Sequence, residues 1–381
     1  MSGGWFAARP RARVVARLGV LVLGSGLMAG GLTGCSTAAY YWQSAIGHLN
    51  LMAAARPVDD WLADPATPAP LRERLALARR IRDFAVSELH EPDNASYHRY
   101  ADLHRRAAVW SVTAAPADSL KLKTWCYPVI GCAGYRGYYD EQAADRFAAG
   151  LRSEDGLETY VYGVPAYSTL GWMNWAGGDP LLSTFIQWPE GELARLVFHE
   201  LAHQVAYAEG DTMFNESFAT AVERLGGQRW LAQSTDAARA EYAAFDARRR
   251  DFRALTLAVR DDLAALYADA ALDDAARRAA KAARLARLQA DYATMKTARW
   301  GGFAGYDRWF AEANNAAFGI QAAYDGQVDA FLRLFEREGA DFTRFYAAVR
   351  RLAGLPKAER AATLAALSDE RVSDARHPHS P

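Results

Sequence analysis

The spacing of apolar residues predicts helices over most of the chain. Apolar residues three and four positions apart recur over 70–90 and 304–366, as on the buried face of an amphipathic helix. We expect the first helix of the chain over 40–55. The same spacing over 231–299 is combined with many Ala, Arg and Asp residues, and we expect two long antiparallel helices there, an Ala/Arg-rich helical hairpin.

Two stretches depart from this helical pattern. Residues 106–189 are rich in Tyr, Trp, Gly and β-branched residues, which are typical of short strands and turns. Four prolines between 57 and 70 predict a turn-rich connection over 57–69. The sequence therefore predicts a mainly α protein with a small β-sheet, an α+β fold.

These patterns also suggest how the chain is organised. At 51% hydrophobic and 23% charged residues, the composition argues against intrinsic disorder. We expect a single domain over 35–370, followed by a disordered tail over 371–381. Its parts would be a helical N-terminal part 36–105, a β-rich part 106–189, two helices over 190–226 and a helical C-terminal part 231–366.

The first 34 residues predict a targeting signal. Four arginines and no acidic residue accompany the apolar run 18–30, which is too short to span a bilayer but suits a signal peptide. The sequence LTGC at 32–35 resembles the bacterial lipobox, which implies lipidation of Cys35 and a lipid anchor without a membrane-spanning helix. Because Ser36 is not Asp, the analogy favours the outer membrane, facing the periplasm. An ordinary secretory signal is the alternative.

Charge and cysteine content narrow the function further. Removing 1–34 leaves 40 basic against 45 acidic residues, a net charge of −5. Since binding to phosphates needs clustered Lys and Arg, we expect no nucleic-acid partner.

Cys126 and Cys132 remain after Cys35, and an oxidising envelope favours a disulfide between them, with reduced buried thiols as the alternative.

The candidate chemistry lies on one predicted helix, which Pro189 begins and Gly210 ends. His199 and His203 are four residues apart, so their imidazoles lie on one face and can share one Zn²⁺. Glu200 is turned by about 100° around the helix, where it can act as a general base without being a ligand. The other faces are apolar, so the helix should be buried and its polar groups need a partner. We expect one zinc ion per chain.

A catalytic zinc site needs a third protein ligand and an open fourth position. Glu216 lies thirteen positions after His203, enough for the chain to reverse and return on a second helix. The sequence therefore predicts His199, His203 and Glu216 as the metal ligands. Glu223, seven residues further, is the alternative ligand, or an acceptor for a histidine N–H.

These motifs carry a family resemblance. HELAH at 199–203 followed by NESFAT at 215–220 resembles the glutamate-zincin metallopeptidases, and the NESFA string is similar to the third-ligand motif of large zinc aminopeptidases, at a shorter spacing. Over most of 32–355 the chain also resembles a family of bacterial lipoproteins described as predicted aminopeptidases. The shared features are the lipobox, YYWQ at 40–43, segments within 125–138, the HELAH/NESFA pair, and NNA at 314–316 with Tyr324.

The resemblance implies a zincin-like metallopeptidase core that acts on peptides. It suggests Tyr324 as the catalytic residue that stabilises the oxyanion, with a packing role as the alternative. Residues 160–172 stand where zincins place an edge strand that binds substrate backbone, although an ordinary core hairpin fits as well. An aminopeptidase also needs an acid for the substrate's α-ammonium group. Candidates are Glu192, Asp211 and Glu223.

Three functions fit these residues. The first is an envelope zinc aminopeptidase, and the second is an envelope endopeptidase. The third is a lipid-anchored scaffold or accessory protein with a structural or inactive zinc site. Glu200 argues against the scaffold, because structural zinc sites use four protein ligands and no free base. The physiological metal, the preferred substrate and the oligomeric state stay open at this point.

Overall fold

The computed structural model describes residues 38–127, 131–166, 169, 171, 174–321 and 326–374. The predicted signal segment, Cys35, Tyr324 and the part of the predicted tail after Asp374 lie outside the described residues. The chain divides into two compact units, 1–50 and 51–381, and each is described by itself. Among the described residues, no helix has the length and apolar character needed to cross a membrane.

Helices dominate the described residues. They are α1 (38–54), α2 (Val58–Ala63), α3 (Ala69–Ser87), α4 (Glu141–Glu154), α5 (Glu190–Ala202), α6 (Thr212–Ala232), α7 (Asp236–Ala268), α8 (Asp274–Ala298), α9 (Asp307–Glu312), α10 (Asn315–Gln321), α11 (Val328–Arg337), α12 (Phe342–Ala353) and α13 (Lys357–Asp374). The strands are β1 (Arg56–Pro57), β2 (Arg99–Ala101), β3 (Val109–Ala115), β4 (Trp125–Tyr127), β5 (Gly131–Ala133), β6 (Arg136–Tyr138), β7 (Glu158–Val164) and β8 (Leu181–Leu182). The expected mostly helical α+β fold with small sheets is confirmed.

The strands form small sheets. In the first, β2 pairs antiparallel with β1 and parallel with β8. In the second, β3 lies between β6 and β7 and is antiparallel to both, so β7 is an edge strand. The hairpin β4–β5 places Cys126 opposite Cys132, and the two are joined in a disulfide.

The main core surrounds α5 and α6, which pack side by side. Phe198 of α5 meets Phe84 of α3 at 5.9 Å between ring centroids, and Phe214 of α6 meets Phe331 of α11 edge-on at 5.1 Å. Gly226 allows the close approach of α6, because a Cβ there would lie 2.9 Å from the Phe198 ring. Burial of these aromatic rings holds α5 and α6 between α3 and α11.

The expected helical hairpin is formed by α7 and α8. Asp273 accepts a hydrogen bond from the Ala276 amide and so begins α8. Arg284 of α8 pairs with Asp262 of α7 at 2.6 Å. Together with α9 and α10, the hairpin has its own apolar cluster, with Val259, Leu288 and Phe310 at its centre.

Three elements differ from the sequence expectations. The stretch 57–69, expected to be a turn-rich connection, contains α2, because a proline directly before a first turn is compatible with a helix. The β-rich part contains α4, whose buried face has Ala144, Ala148 and Leu151 at helical spacing. Helix α5 ends at Ala202 rather than near Gly210.

Candidate metal centre

Helix α5 places the two histidines of HELAH. It begins after Pro189, buries most of its surface and reaches His203 at its C-cap. His203 keeps helical angles (φ −59°, ψ −23°), so the one-turn spacing from His199 is preserved although the helix has ended. The two ring centroids are 4.9 Å apart, which leaves both imidazoles on one side of the helix.

The turn after α5 is fixed by side chains of later elements. The buried Asn215 amide accepts a hydrogen bond from the Ala208 N–H at 2.8 Å and donates one to the Ala208 carbonyl at 2.9 Å. Asp211 caps α6 through the Phe214 amide and forms a buried ion pair with Arg360 at 2.9 Å. These contacts reverse the chain, so that α6 returns alongside α5.

The reversal brings Glu216 to the histidines. Its Oε2 lies 3.3 Å from His199 Nε2 and 3.8 Å from His203 Nε2. One ligand atom from each of the three residues lies within 4.8 Å of the others, and the group could hold a metal ion. Two imidazoles and a carboxylate are a donor set that suits zinc and leaves a coordination position for water.

Glu223 lies behind the histidines rather than among the ligands. Its Oε2 is 3.1 Å from His199 Nδ1, while its other oxygen pairs with Arg195. Arg195 and these contacts hold the pKa of the buried Glu223 carboxyl at about 2, against the effect of burial. An Nδ1–H donated to Glu223 leaves Nε2 of His199 to face Glu216 and a metal.

Burial sets the protonation of the other site residues. It lowers the pKa of His203 to about 4, so the His203 imidazole is neutral at neutral pH. It raises the pKa of Glu200 to about 7, helped by the negative charges of Glu216 and Asp179. For His199, burial is outweighed by its contacts with Glu216 and Glu223, and the pKa lies well above the usual value.

The acids suggested for α-ammonium binding already face arginines. Glu192 pairs with Arg249 at 2.6 Å, Asp211 pairs with Arg360, and Glu223 pairs with Arg195. Each carboxylate is therefore part of an ion pair that ties elements of the fold together. None of the three is brought into the ligand group.

The sequence analysis overlooked Arg195, which pairs with Glu223, and two buried groups, Glu91 and Tyr97, which interact electrostatically with His199 and Glu200. Arg195 lies one turn before His199, a helical spacing that could have revealed it. No spacing or motif in the sequence indicated Glu91 or Tyr97. Both side chains are buried, and neither the Glu91 carboxylate nor the Tyr97 hydroxyl has a hydrogen-bond partner among the residues that the structure describes. Burial raises the pKa of Tyr97, and the charge of Glu200 raises it further.

The edge strand expected within 160–172 corresponds to β7, which ends at Val164. Two of its carbonyls already accept hydrogen bonds from side chains. Asn314 donates to the Thr159 carbonyl at 2.9 Å, and Arg308 donates to the Val161 carbonyl at 3.3 Å. Backbone binding of a substrate along β7 stays a prediction, and it would have to use the strand beyond Val161.

The comparison with protein families gives one match. Residues 39–364 match the model of a family described as "Putative aminopeptidase". The match covers well over half of the chain and includes His199, His203 and Glu216. No curated protein and no solved structure matches the chain. The chain therefore belongs to this family of aminopeptidase-like proteins.

Proposed function

We propose that this chain is a zinc-dependent peptidase, and an aminopeptidase in particular, with a zincin-like core. The observation that carries the proposal is the convergence of His199, His203 and Glu216, with Glu200 next to them on α5. Family membership supports the same class of reaction. Under this proposal the predicted lipid on Cys35 holds the enzyme in the bacterial envelope, at the periplasmic face of the outer membrane.

The residues fit a zinc ion on their own chemistry. His203 is neutral, and the contact of His199 Nδ1 with Glu223 directs the second ring nitrogen toward the ligand group. His203 Nδ1 is buried without a hydrogen-bond partner among the described residues. His203 Nε2 lies 3.8 Å from Glu216 Oε2, beyond hydrogen-bond distance, and is therefore available to a metal. A bound zinc ion would supply Lewis acidity for water activation and for the developing oxyanion.

Side chains of this protein would transfer the protons of the reaction. With a pKa of about 7, Glu200 can accept the proton of an attacking water and return it to the leaving amine at neutral pH. Glu223 and Arg195 would keep His199 in a fixed orientation throughout. Tyr324, suggested by the family resemblance for the oxyanion, stays a prediction because it lies outside the described residues.

An endopeptidase is the second candidate. Glu192, Asp211 and Glu223, the acids considered for an α-ammonium group, are each paired with an arginine. A site that binds no terminal amine would cleave within a chain. The retained base Glu200 argues for either peptidase over a scaffold with a structural zinc.

A direct test compares the form starting at Ser36 with its Glu200→Gln variant. We expect both to hold about one zinc per chain, because the substitution leaves the three ligands intact. Only the wild type should cleave peptides. Loss of cleavage when the substrate's N-terminus is blocked would assign an aminopeptidase, and cleavage of blocked peptides would assign an endopeptidase. Absence of zinc from both forms would refute the proposal, and zinc without cleavage would favour the scaffold.

A further inference from the structure

Helix α1 exposes several large apolar side chains over residues 38–50, although its Leu51 is buried. Four of the seven large apolar side chains that are exposed in the described part of the chain lie on it. Trp42 is 70% exposed and Leu49 is 58% exposed, with Tyr41 and Ile46 next to them. Such a concentration of exposed apolar side chains marks an interaction surface rather than scattered exposure.

The exposed residues form one continuous face. Trp42, Ile46 and Leu49 follow each other at spacings of four and three, so they lie within about 60° of one another around the helix. Ala38, Tyr41 and Ala45 extend this face, and all six are exposed. The less exposed positions of 38–50 include Gln43, Ser44 and His48. Over 38–50, the exposed side therefore carries Tyr41, Trp42, Ile46 and Leu49, whereas Tyr40 is the one large apolar side chain at a less exposed position.

We propose that the face formed by Tyr41, Trp42, Ile46 and Leu49 docks on a lipid bilayer surface. The proposal rests on the lipidation of Cys35 that is part of the proposed function. Only Ser36 and Thr37 separate Cys35 from α1, and an extended chain spans about 3.5 Å per residue. An acylated Cys35 therefore holds the first turn of α1 within roughly 10 Å of the bilayer.

The composition of α1 fits the region between water and acyl chains. Trp and Tyr prefer this interface, because their rings are apolar and their N–H or O–H groups reach polar headgroups. No Asp, Glu, Lys or Arg occurs between Cys35 and Arg56. The face therefore meets no charge that would resist insertion. Docking should also depend little on the charge of the lipids or on salt.

Such a helix would act together with the lipid anchor. Acyl chains hold a protein at a membrane but leave its orientation free, and stable attachment commonly needs a second contact. Helix α1 would supply that contact and would lie in the membrane surface, because no described helix, α1 included, is both long and apolar enough to span the bilayer.

The first experiment places a fluorescent probe on the lipidated mature protein. An environment-sensitive label on Ile46→Cys is compared with the same label on Ser44→Cys, which lies on the less exposed side of α1. In vesicles of phosphatidylethanolamine and phosphatidylglycerol, we expect a blue-shifted, quencher-protected label at 46 and a water-exposed label at 44. A label at 46 that stays in water would refute the proposal. A shift at 46 that occurs without vesicles at high protein concentration would assign the face to a second copy of the chain.

The second experiment removes the lipid. The form starting at Ser36 retains every described residue, including α1 and the compact unit 51–381. We expect it to sediment with phosphatidylcholine vesicles, and high salt should not release it. Trp42→Glu and Leu49→Glu should each weaken this binding roughly tenfold or more. Ser44→Glu, which adds the same charge on the less exposed side, should weaken it much less.

These outcomes are independent of peptidase activity. Equal losses for Ser44→Glu and Leu49→Glu, or no vesicle binding by the Ser36 form, would overturn docking by α1. The mass of the mature protein shows separately whether Cys35 carries lipid. Zinc content and peptide cleavage are measured on the same samples, so failure of the peptidase proposal would leave the result for α1 unchanged.

Discussion

Each ring nitrogen of His199 lies next to a carboxylate of α6, and the two glutamates have different roles. Glu216 and Glu223 are seven residues apart, so they lie on nearly the same side of α6 at successive heights. Glu216 contacts Nε2 and belongs to the group that could hold a metal ion, whereas Glu223 contacts Nδ1 and orients the ring. The order in which the two acids occur along α6 thus decides which one can be a ligand.

Replacing Glu223 with Gln should weaken zinc binding without removing a ligand. The amide is a poorer acceptor for His199 N–H, and loss of such a partner typically costs about 10–100-fold in metal affinity. Competition with a chromophoric chelator would measure the loss. Glu192→Gln is the matched control, because Glu192 also pairs with Arg195 but contacts no ligand. An equal loss in both variants would mean that Glu223 acts only through general stability.

Glu91 should make stability depend on pH. Burial raises its pKa well above the usual value, against the charges of Arg82 and His199. A carboxyl with a raised pKa binds more protons folded than unfolded, so its contribution to the free energy of unfolding falls as pH rises above about 4.3. We therefore expect the stability of Glu91→Gln relative to wild type to increase as the pH rises above about 4.3.

Urea unfolding at several pH values would measure this difference, with Glu88→Gln as the control at an exposed position three residues earlier. The control should follow the wild type at every pH. A Glu91→Gln curve that runs parallel to the wild-type curve would show that the pKa of Glu91 is the same in the folded and the unfolded chain.

At the residue scale, the sequence was informative where the geometry is local. The positions of His199, Glu200 and His203 follow from one turn of helix, and Glu216 follows from a single chain reversal. The partners that hold these residues are distant along the chain. Arg360 pairs with Asp211, which lies 149 positions earlier, and no sequence pattern in either segment predicts the contact. Likewise, Glu91 becomes buried only because the folded chain covers it.

At the element scale, the turn between α5 and α6 determines whether the three ligand residues meet. Local pattern predicted a longer α5, because apolar residues continue beyond Ala202. The helix instead ends there, and Gln204 bonds to Asn94 and Ser96 while Asn215 holds Ala208. These contacts outweigh the helical preference of the sequence, which is why sequence predicted the two helices but not where the first one ends.

Asn215→Ala should therefore reduce both stability and zinc affinity. The substitution leaves the buried N–H of Ala208 without its partner, at a cost of about 1–3 kcal/mol. The Ala208 carbonyl keeps the hydrogen bond that it accepts from the Asp211 amide at 3.2 Å. The freed turn should also let α6 shift relative to α5, which weakens the ligand group. Denaturant unfolding and chelator competition would measure the two effects. Glu209→Ala, at an exposed position of the same turn, should change neither.

If Asn215→Ala lost stability but kept full zinc affinity, the turn would not be needed to place Glu216. In that case the packing of α6 against α5 and α11 would alone determine the position of the ligand.

At the scale of the whole molecule, the candidate metal centre lies between the two helices at the middle of the main core. The hairpin α7–α8 has a separate apolar cluster but is connected to the site by charges, since Arg249 of α7 pairs with Glu192 and Arg195 pairs with Glu223. The sequence predicted the hairpin from its periodicity. It could not predict this connection, because the side of α7 that faces α5 is decided by tertiary packing.

Zinc should therefore stabilise the main core as a unit. Binding to the folded state alone adds about 2.7 kcal/mol when free zinc is a hundred times its Kd, which raises the Tm by roughly 3–4 °C for a chain of this size. Thermal unfolding with zinc and with a chelator would measure this shift. His203→Ala should abolish it, because a two-ligand site binds zinc weakly.

Hydrogen exchange would show where that stabilisation acts. We expect zinc to slow exchange in α5 and α6 and in the helices that share their core, α3 and α11, because opening any of them exposes the same apolar cluster. Exchange at the far end of the hairpin, around 265–275, should change much less, since those residues belong to no shared core with the ligands. Uniform slowing over the whole hairpin would instead mean that the ion pairs of Arg249 and Arg195 couple the two clusters into a single cooperative unit.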